Sequence, residues 1–349
     1  MEPPTEARRD GALAARVLRQ QPLRYRDGAS ADEDRPAHVR AASGITAYRE
    51  YLVIIQDDAN WLALLDADGD VHPLPLPPGP ESGQRVFSKR RGNKHEKFDL
   101  EACVTLPGSA GPELIAFGSG SHEGREWILR LHEGETFEAS LSEQASHAEL
   151  GLSVTAEFVA CRRFYDALRD TTAFAGAGLN IEGAVPLGGN TIRLFQRGNA
   201  PARDGLSPVD ATGDVAWAAL AAHLAEPARV PPPEVTGIRR YDLGSLDGVR
   251  LTFSDAEHLG EGRILYSASA EHPESGEIVG SALGVLEADG EARWTAVTDA
   301  SGGDFEGKIE GLSLSPGDPG LVHFVTDDDD EDAPSVLYTV RLNDAFFTR

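Results

Sequence analysis

Three short segments of the sequence place a glutamate where an apolar strand begins. Glu101 lies in KFDLEACVTLP, Glu182 in LNIEGAVPL and Glu310 in GKIEGLSLS, and Asp255 in TFSDAEHL occupies a similar position. A charged side chain in an apolar run is costly unless it has a partner. The repetition therefore predicts that the four carboxylates form a set with a shared structural or chemical role.

Four carboxylates that approach one another repel, and the pKa of each rises unless a cation neutralises them. A loosely arranged, oxygen-only donor set favours Ca²⁺ over Mg²⁺. We therefore expect Glu101, Glu182, Asp255 and Glu310 to hold a Ca²⁺ ion. A structural ring is an equal alternative, in which the carboxylates accept hydrogen bonds from backbone amides or pair with Arg and Lys.

Polar residues near the ends of other apolar runs are candidates for chemistry around such an ion. Asp57 or Asp327 would act as the base of a hydrolytic reaction whose nucleophile is a metal-bound water. Arg197 or Lys97 would orient an anionic group of the substrate. The basic segment FSKRRGNKHEKFD, which leads into Glu101, is alternatively a solvated loop.

The segment FGSGSHEGRE is a candidate anion-binding site. Its Gly/Ser turn offers backbone amides, Ser119 and Ser121 offer hydroxyl groups, and Arg125 can bind a phosphate or carboxylate through two parallel hydrogen bonds. A long hairpin turn is the alternative. The sequence lacks the phosphate-loop and dinucleotide-binding glycine patterns, so we expect no nucleotide cofactor.

Short runs of Val, Ile, Leu and Phe, separated by Gly, Pro, Asp and Asn, predict a mostly β chain. Five units can be aligned, with Thr46, Glu101, Glu182, Asp255 and Glu310 at equivalent positions. A four-stranded blade takes about 40 to 50 residues, so these units predict an all-β fold, a single β-propeller of five or six blades. In that fold the repeated positions, and the turns after the second strands, meet at one mouth of the central channel.

The predicted propeller domain spans residues 13–349 and follows a flexible N-terminal tail at 1–12. Inserts are expected near 157–170 and 200–235, and both contain segments of helical propensity. A degenerate sixth unit is an open alternative within 137–175. The segment PLRYRDG near the N-terminus would pair with VLYTVRL near the C-terminus and close the ring.

The composition limits the classes of partner. The chain has 57 acidic and 32 basic residues and a net charge of −25 at pH 7, which opposes binding to nucleic acids and to anionic membranes. The sequence contains no apolar run long enough to span a bilayer, and the Glu and Arg residues in its first segment lead us to expect no signal peptide. The sequence has two cysteines, and their spacing is not that of metal ligands. Together these features predict a cytoplasmic protein.

The motifs FDLEACV, LIAFGSGSHEGRE, LNIEGAV, LFQRGN and YSASAE resemble those of a family of uncharacterised bacterial β-propeller proteins. That family is distantly similar to the esterase-like domain of phytases and, more remotely, to calcium-dependent lactonase-type propellers. The resemblance covers most of residues 40–342. It implies a propeller fold, and it transfers no catalytic residue to this chain.

Together these observations predict a Ca²⁺-binding propeller that hydrolyses a small ester, lactone or phosphoester at the channel mouth. A non-enzymatic scaffold that binds a protein partner on the same face is the competing class. Sugar binding or glycoside cleavage is a third alternative, which the small number of aromatic residues at the expected mouth (Trp61 and Phe195) disfavours.

Overall fold

The computed structural model describes residues 3–108, 111–133, 140–147, 152–188, 190–327 and 330–348, with 140–147 described as backbone only. The apolar runs of the sequence form β-strands, because β-branched and aromatic side chains pack well on a pleated surface. No helix among these residues has the length and apolar character needed to cross a membrane.

The chain begins with three strands that later join the edges of other sheets. These are β1 (Thr5–Glu6), β2 (Arg8–Arg9) and β3 (Ala15–Pro22). The first antiparallel group of four strands follows directly. It comprises β4 (Ala42–Tyr48), β5 (Tyr51–Gln56), β6 (Trp61–Leu65) and β7 (Val71–Pro75).

The second group has five strands in the spatial order β8-β9-β10-β12-β11. Their bounds are β8 (Leu100–Pro107), β9 (Pro112–Gly118), β10 (Trp127–His132), β11 (Ser140–His147) and β12 (Leu152–Ala160). Two helices follow, α1 (Arg162–Asp170) and α2 (Thr172–Ala175). Helix α1 forms because Phe164, Tyr165 and Leu168 fall on one buried face.

The third group contains β13 (Ile181–Pro186), β14 (Thr191–Gln196), β15 (Asp210–Ala216) and β16 (Thr236–Asp242), with helix α3 (Trp217–Ala225) between the last two. Strand β1 adds to its outer edge in parallel with β16. The fourth group contains β17 (Ser245–Leu246), β18 (Val249–Gly260), β19 (Arg263–Glu271), β20 (Ile278–Leu286) and β21 (Ala292–Thr298).

The fifth group contains β22 (Ile309–Ser315), β23 (Asp318–Thr326) and β24 (Val336–Leu342). Strand β3 completes it by pairing antiparallel with β24, and its first residues also pair in parallel with β21. The expected pairing of N- and C-terminal strands is therefore present, and the N-terminal partner is Ala15–Pro22, which ends where the segment PLRYRDG begins.

The first long strand of each group contacts its counterpart in the next group. Strand β4 contacts β8, β8 contacts β13, β13 contacts β18, β18 contacts β22, and β22 contacts β4. Five apolar clusters in the described part of the chain fill the spaces between neighbouring groups. One of them joins Trp61 of the first group to Val325 and Leu337 of the fifth. Each large apolar side chain buried in this way contributes about 1.5–3 kcal/mol.

Four expectations about the elements need correction. Residues expected to form a flexible tail include two paired strands, β1 and β2. The expected helix at 157–170 begins only at Arg162, because Glu157 and its neighbours pair with β10 and β11. The helical segment of the insert expected near 200–235 is α3, which begins only at Trp217, after strand β15. Strands β11 and β12 extend the second sheet, so the described residues of 137–175 form no sixth unit.

Candidate functional site

Each of the five first strands contains a β-bulge near its start. The pairing register shifts between Ala42 and Gly44, Leu100 and Ala102, Ile181 and Gly183, Phe253 and Asp255, and Ile309 and Gly311. A bulge leaves its extra residue out of the ladder and redirects that side chain. The residues at this repeated position are Ser43, Glu101, Glu182, Ser254 and Glu310.

The structure thus corrects two of the five aligned positions. In the fourth group the bulge residue is Ser254, and Asp255 lies one position deeper, where its carboxylate accepts a hydrogen bond from the Leu312 backbone N–H at 2.7 Å. In the first group the bulge residue is Ser43, and Thr46 lines a separate cavity of about 290 Å³ together with Glu257. The predicted four-carboxylate ring therefore contains three neighbouring glutamates and lacks Asp255.

A cavity of about 460 Å³, here called the mouth cavity, lies over the bulges. Side chains from the bulges and from the ends of the second strands contribute to its lining. They are Ser43, Glu101, Glu182 and Glu310 from the bulges, and Asp57, Ser121, Arg197, Asn199, Glu271 and Asp327 from the strand ends. The structure therefore brings together most of the polar residues that the repeat pattern singled out.

The first two groups contribute a compact charge cluster to this cavity. The Lys97 ammonium lies 2.7 Å from Asp57 and 2.6 Å from Asp99. The Arg125 guanidinium lies 2.8 Å from the other oxygen of Asp99 and donates a hydrogen bond to Ser121 at 3.0 Å. Because Lys97 is 6% exposed and Asp99 is 1% exposed, these charges interact through a medium of low polarity.

Proton affinities within this cluster diverge. Burial and the neighbouring Asp99 carboxylate raise the pKa of Asp57 well above its usual range. Burial acts on Asp99 in the same direction, but the positive charges of Lys97 and Arg125, together with the Asp57 side chain, outweigh it and lower the pKa of Asp99. Burial disfavours the Lys97 ammonium, and the two aspartates overcome this and raise the pKa of Lys97. The cluster therefore places a carboxylate of high proton affinity, Asp57, beside one of low proton affinity, Asp99, with the Lys97 ammonium between them.

Glu101 differs from the other carboxyl groups of the mouth cavity. No hydrogen bond or ion pair to its carboxylate occurs within the described part of the chain. Burial, together with the negative charges of Asp57 and Asp99, raises the pKa of Glu101 well above its usual range. Glu101 thus holds a proton more tightly than an ordinary glutamate does, and it remains accessible from the cavity.

The other two bulge glutamates each have a basic partner. Glu182 lies 3.2 Å from Arg197, which also contacts Glu271 at 2.6 Å. Burial raises the pKa of Glu182, and the charge of Arg197 opposes that shift. Glu310 lies 2.6 Å from Lys308. Pairing with Arg and Lys, the structural alternative considered from the sequence, therefore describes these two positions.

Helix α1 holds the loop that carries Ser119, Ser121 and Arg125. The Tyr165 hydroxyl lies 2.9 Å from the Gly118 carbonyl oxygen and 3.0 Å from that of Trp127. The Arg169 guanidinium donates to the Gly120 carbonyl oxygen at 3.1 Å and also bonds the buried Glu126 carboxylate. The insert after the second group thus fixes Arg125 beside Asp99.

The remaining predicted residues fall in several places. Ser119 lies below the cavity surface, where its hydroxyl donates to Asp99. Asp327 lines the cavity, and its neighbour Asp328 is outside the described residues. Trp61 and Phe195, the aromatic residues expected at the mouth, are instead buried in the apolar clusters. No aromatic side chain belongs to the described lining.

Three residues that the sequence did not single out contribute to the cavity. Asp99 sits two residues before Glu101 and two after Lys97, an alternating pattern that could have drawn attention to it. Lys308 likewise lies two residues before Glu310. Arg203 comes from an exposed turn between β14 and β15, and no sequence pattern marks it.

One group of carboxylates has the ligand chemistry for a metal ion. Oxygen atoms of Asp57, Asp99 and Glu101 lie within 4.8 Å of one another. Such an oxygen-only set suits Ca²⁺. The Lys97 ammonium already contacts two of the three members, so it competes with a metal ion for them.

The model of a family of unknown function, DUF6929, matches residues 38–342, and the chain belongs to this family. This agrees with the resemblance to an uncharacterised family seen in the sequence motifs. The likeness to the esterase-like domain of phytases stays a prediction. No curated protein matches the sequence.

Several solved structures show weak likeness to the whole chain. Virginiamycin B lyase from Staphylococcus aureus has 11% sequence identity and a TM-score of 0.37, with 95% of this chain and 100% of that chain covered. The gluconolactonase XC5397 from Xanthomonas campestris has 12% identity and a TM-score of 0.33, with 84% and 69% covered. The mannose phosphorylase MPT-4 from Leishmania mexicana has 13% identity and a TM-score of 0.40, with 93% and 88% covered. At such low TM-scores these likenesses carry no functional argument.

Proposed function

We propose that this DUF6929 protein is a five-bladed β-propeller that hydrolyses a small ester, lactone or phosphoester in the mouth cavity, with Glu101 as the proton-transferring residue. The cycle of contacts from β4 through β22 back to β4 supports the five-bladed arrangement. The five apolar clusters between neighbouring groups, and the pairing of β3 with β24, support it as well.

The reaction that fits the cavity is general acid–base hydrolysis. Water attacks the carbonyl carbon or phosphorus atom of the substrate, and Asp57 takes a proton from that water. Glu101 gives its proton to the oxygen of the breaking bond, so the product leaves as an alcohol. The pKa of both residues is raised, and the Lys97 ammonium distinguishes them, because it forms an ion pair with Asp57 that favours the ionised form. Lys97 holds Asp57 in place through both carboxylate oxygens, each 2.7 Å from the ammonium.

The proposal depends on one observation, that among the described residues Glu101 faces the cavity without the ion-pair partner that the equivalent glutamates have. Three glutamates share the bulge position, and two of them are committed to Arg197 and Lys308. Only Glu101 among these three combines access to the cavity, a raised pKa and no ion-pair partner. A paired carboxylate is a poor proton donor, because its cation stabilises the deprotonated form.

A Ca²⁺-dependent form of the same hydrolysis is the second candidate, favoured by the approach of the Asp57, Asp99 and Glu101 oxygens to within 4.8 Å of one another. These three residues would hold the ion. When bound, Ca²⁺ would supply Lewis-acid polarisation of the scissile group. Lys97 would then have to leave its two aspartates.

The test uses 4-nitrophenyl acetate, γ-butyrolactone and 4-nitrophenyl phosphate as substrates. For the one that turns over, Glu101→Gln should lower kcat by about 10²- to 10⁴-fold, the usual contribution of a general acid or base. The matched control, Glu277→Gln, removes the same charge from an exposed position and should retain activity. The alkaline limb of the wild-type pH–rate profile should disappear in Glu101→Gln. Full activity of Glu101→Gln would exclude its role, and no turnover by wild type would favour a binding scaffold.

Chelation separates the two candidates. Under the metal-free mechanism, EDTA and added Ca²⁺ leave both kcat and the melting temperature unchanged. A Ca²⁺ site would make the melting temperature rise with Ca²⁺ concentration, because a ligand that binds only the folded state stabilises it. That response should persist in Glu182→Gln and vanish in Glu101→Gln if Asp57, Asp99 and Glu101 hold the ion.

A further inference from the structure

Arg203 is the exposed basic residue of the mouth cavity. It lies in the connection between β14 and β15, at the start of a tight turn through Asp204 and Gly205. Its backbone N–H and carbonyl are both bonded to Leu206, at 3.1 and 2.8 Å, so the turn has a defined position. Within the described part of the chain, its guanidinium has no hydrogen bond or ion pair.

The cations that the sequence suggested for anion binding are already neutralised inside the protein. Lys97 is paired with two aspartates, Arg125 with Asp99, and Arg197 with two glutamates. The lysine that lines the cavity, Lys308, is paired with Glu310. An anionic ligand that contacted these groups would have to displace a carboxylate. Arg203 can bind an anion without that cost, through the two parallel hydrogen bonds of a guanidinium.

Arg203 and Glu101 line the same cavity but come from different parts of the fold. Arg203 stands on the connection of the third group, whereas Glu101 stands on the first strand of the second group. A ligand that reaches both presents an anionic group to the guanidinium and its scissile group to the Glu101 side chain. The cavity of about 460 Å³ limits such a ligand to a small molecule.

We propose that Arg203 is the anion-recognition residue of the mouth cavity, and that the substrate is a small ester or lactone carrying a separate carboxylate or phosphate group. This inference rests on the proposed hydrolytic function for the identity of the scissile bond. The recognition of an anion by Arg203 can be measured without turnover.

The kinetic test compares two esters with the same leaving group. 4-Nitrophenyl acetate is neutral, whereas mono-4-nitrophenyl glutarate carries a carboxylate at its far end. Arg203→Gln should raise KM for the glutarate ester about 10- to 100-fold, the range of a lost charge-assisted hydrogen bond, and leave KM for the acetate ester unchanged. Arg203→Lys should recover part of the effect, because it keeps the charge and loses the planar fork. Arg24→Gln is the matched control, since Arg24 is equally exposed and lies outside the cavity lining.

A second test measures the binding of glutarate and of inorganic phosphate, each added separately, by calorimetry. Wild type and Arg24→Gln should bind at least one of them, and Arg203→Gln should bind it at least tenfold more weakly. The two probes distinguish a carboxylate from a phosphate. Binding that depends on Arg203, without turnover of either ester, would refute the hydrolytic function and leave anion recognition standing. Equal binding by Arg203→Gln and wild type, or no binding by wild type, would overturn the inference.

Discussion

Replacement of Gly311 by alanine tests the contact between the first strands of the fifth and first groups. A Cβ atom on Gly311 would lie 2.5 Å from Gly44 Cα and 2.8 Å from both Gly44 C and Ile45 N. All three atoms belong to the backbone of β4, so no side-chain rotation can relieve the overlap. Gly317 provides the matched control, because a Cβ there would have no heavy atom within 4 Å.

The expected cost follows from these distances. Carbon atoms in contact are normally about 3.5–4.0 Å apart, so β22 and β4 would have to separate by about 1 Å. Each strand is also held by its own hairpin partner and by the next group, which resists the separation. Added atoms in a packed interior typically cost about 1–3 kcal/mol, and we expect Gly311→Ala to reach about 3 kcal/mol because only backbone can move. Gly317→Ala should change stability by less than about 1 kcal/mol.

Equilibrium urea unfolding, followed by the fluorescence of the four tryptophans, measures both variants. A free-energy difference of about 3 kcal/mol corresponds to a shift of more than a hundredfold in the ratio of folded to unfolded protein. If the Gly311→Ala midpoint matches that of Gly317→Ala, then β22 does not pack against β4 at this point. The five first strands would then not form a ring, and the convergence of the bulge residues would lose its basis.

Two further substitutions test the charges inside the ring. Lys97→Met should destabilise the fold by about 3–5 kcal/mol at pH 7, because Asp57 and Asp99 lose their shared cation. This loss of stability should become smaller as pH falls and the two carboxylates are protonated. An equal loss in urea unfolding at pH 4 and pH 7 would contradict this reasoning. For Asp255→Asn we expect the opposite pH dependence, so that the stability of the variant relative to wild type increases as pH rises. Burial raises the pKa of Asp255 well above its usual range. As pH rises from the unfolded-state pKa of Asp255 to its folded-state pKa, wild type therefore loses about 1.4 kcal/mol of stability per pH unit, and the variant does not. Parallel curves of stability against pH for the two proteins would exclude a buried neutral acid at this position.

The repeat pattern in the sequence was sufficient to predict strands, their grouping and one shared mouth. It was also sufficient to place Glu101, Glu182 and Glu310 at one structural position, because each precedes a small residue at the start of an apolar run. The turns after the second strands converged on the same cavity for the same reason, since equivalent ends of repeated hairpins point in one direction.

The sequence was insufficient where pairing register or spatial neighbours decide the outcome. The bulge in the first and fourth groups falls on Ser43 and Ser254, and neither serine is marked by a distinctive sequence pattern. A shift of one residue in a strand reverses the face of its side chain, which is why Asp255 left the predicted ring. The pairing of Glu182 with Arg197 depends on contacts across a hairpin, so no local motif predicted it.

The distribution of partners among the bulge residues explains how a repeated fold can produce one distinct site. A ring with three unpaired carboxylates would need an external cation, since mutual repulsion would otherwise protonate some of them. The chain supplies Arg197 and Lys308 from within, so two of the three glutamates are neutralised without a ligand. Lys97 lies four residues before Glu101 in the sequence, but its ammonium pairs with Asp57 and Asp99 instead. The repeat therefore sets the position of the three glutamates, and the local ion pairs leave Glu101 as the one among them without an ion-pair partner in the described part of the chain.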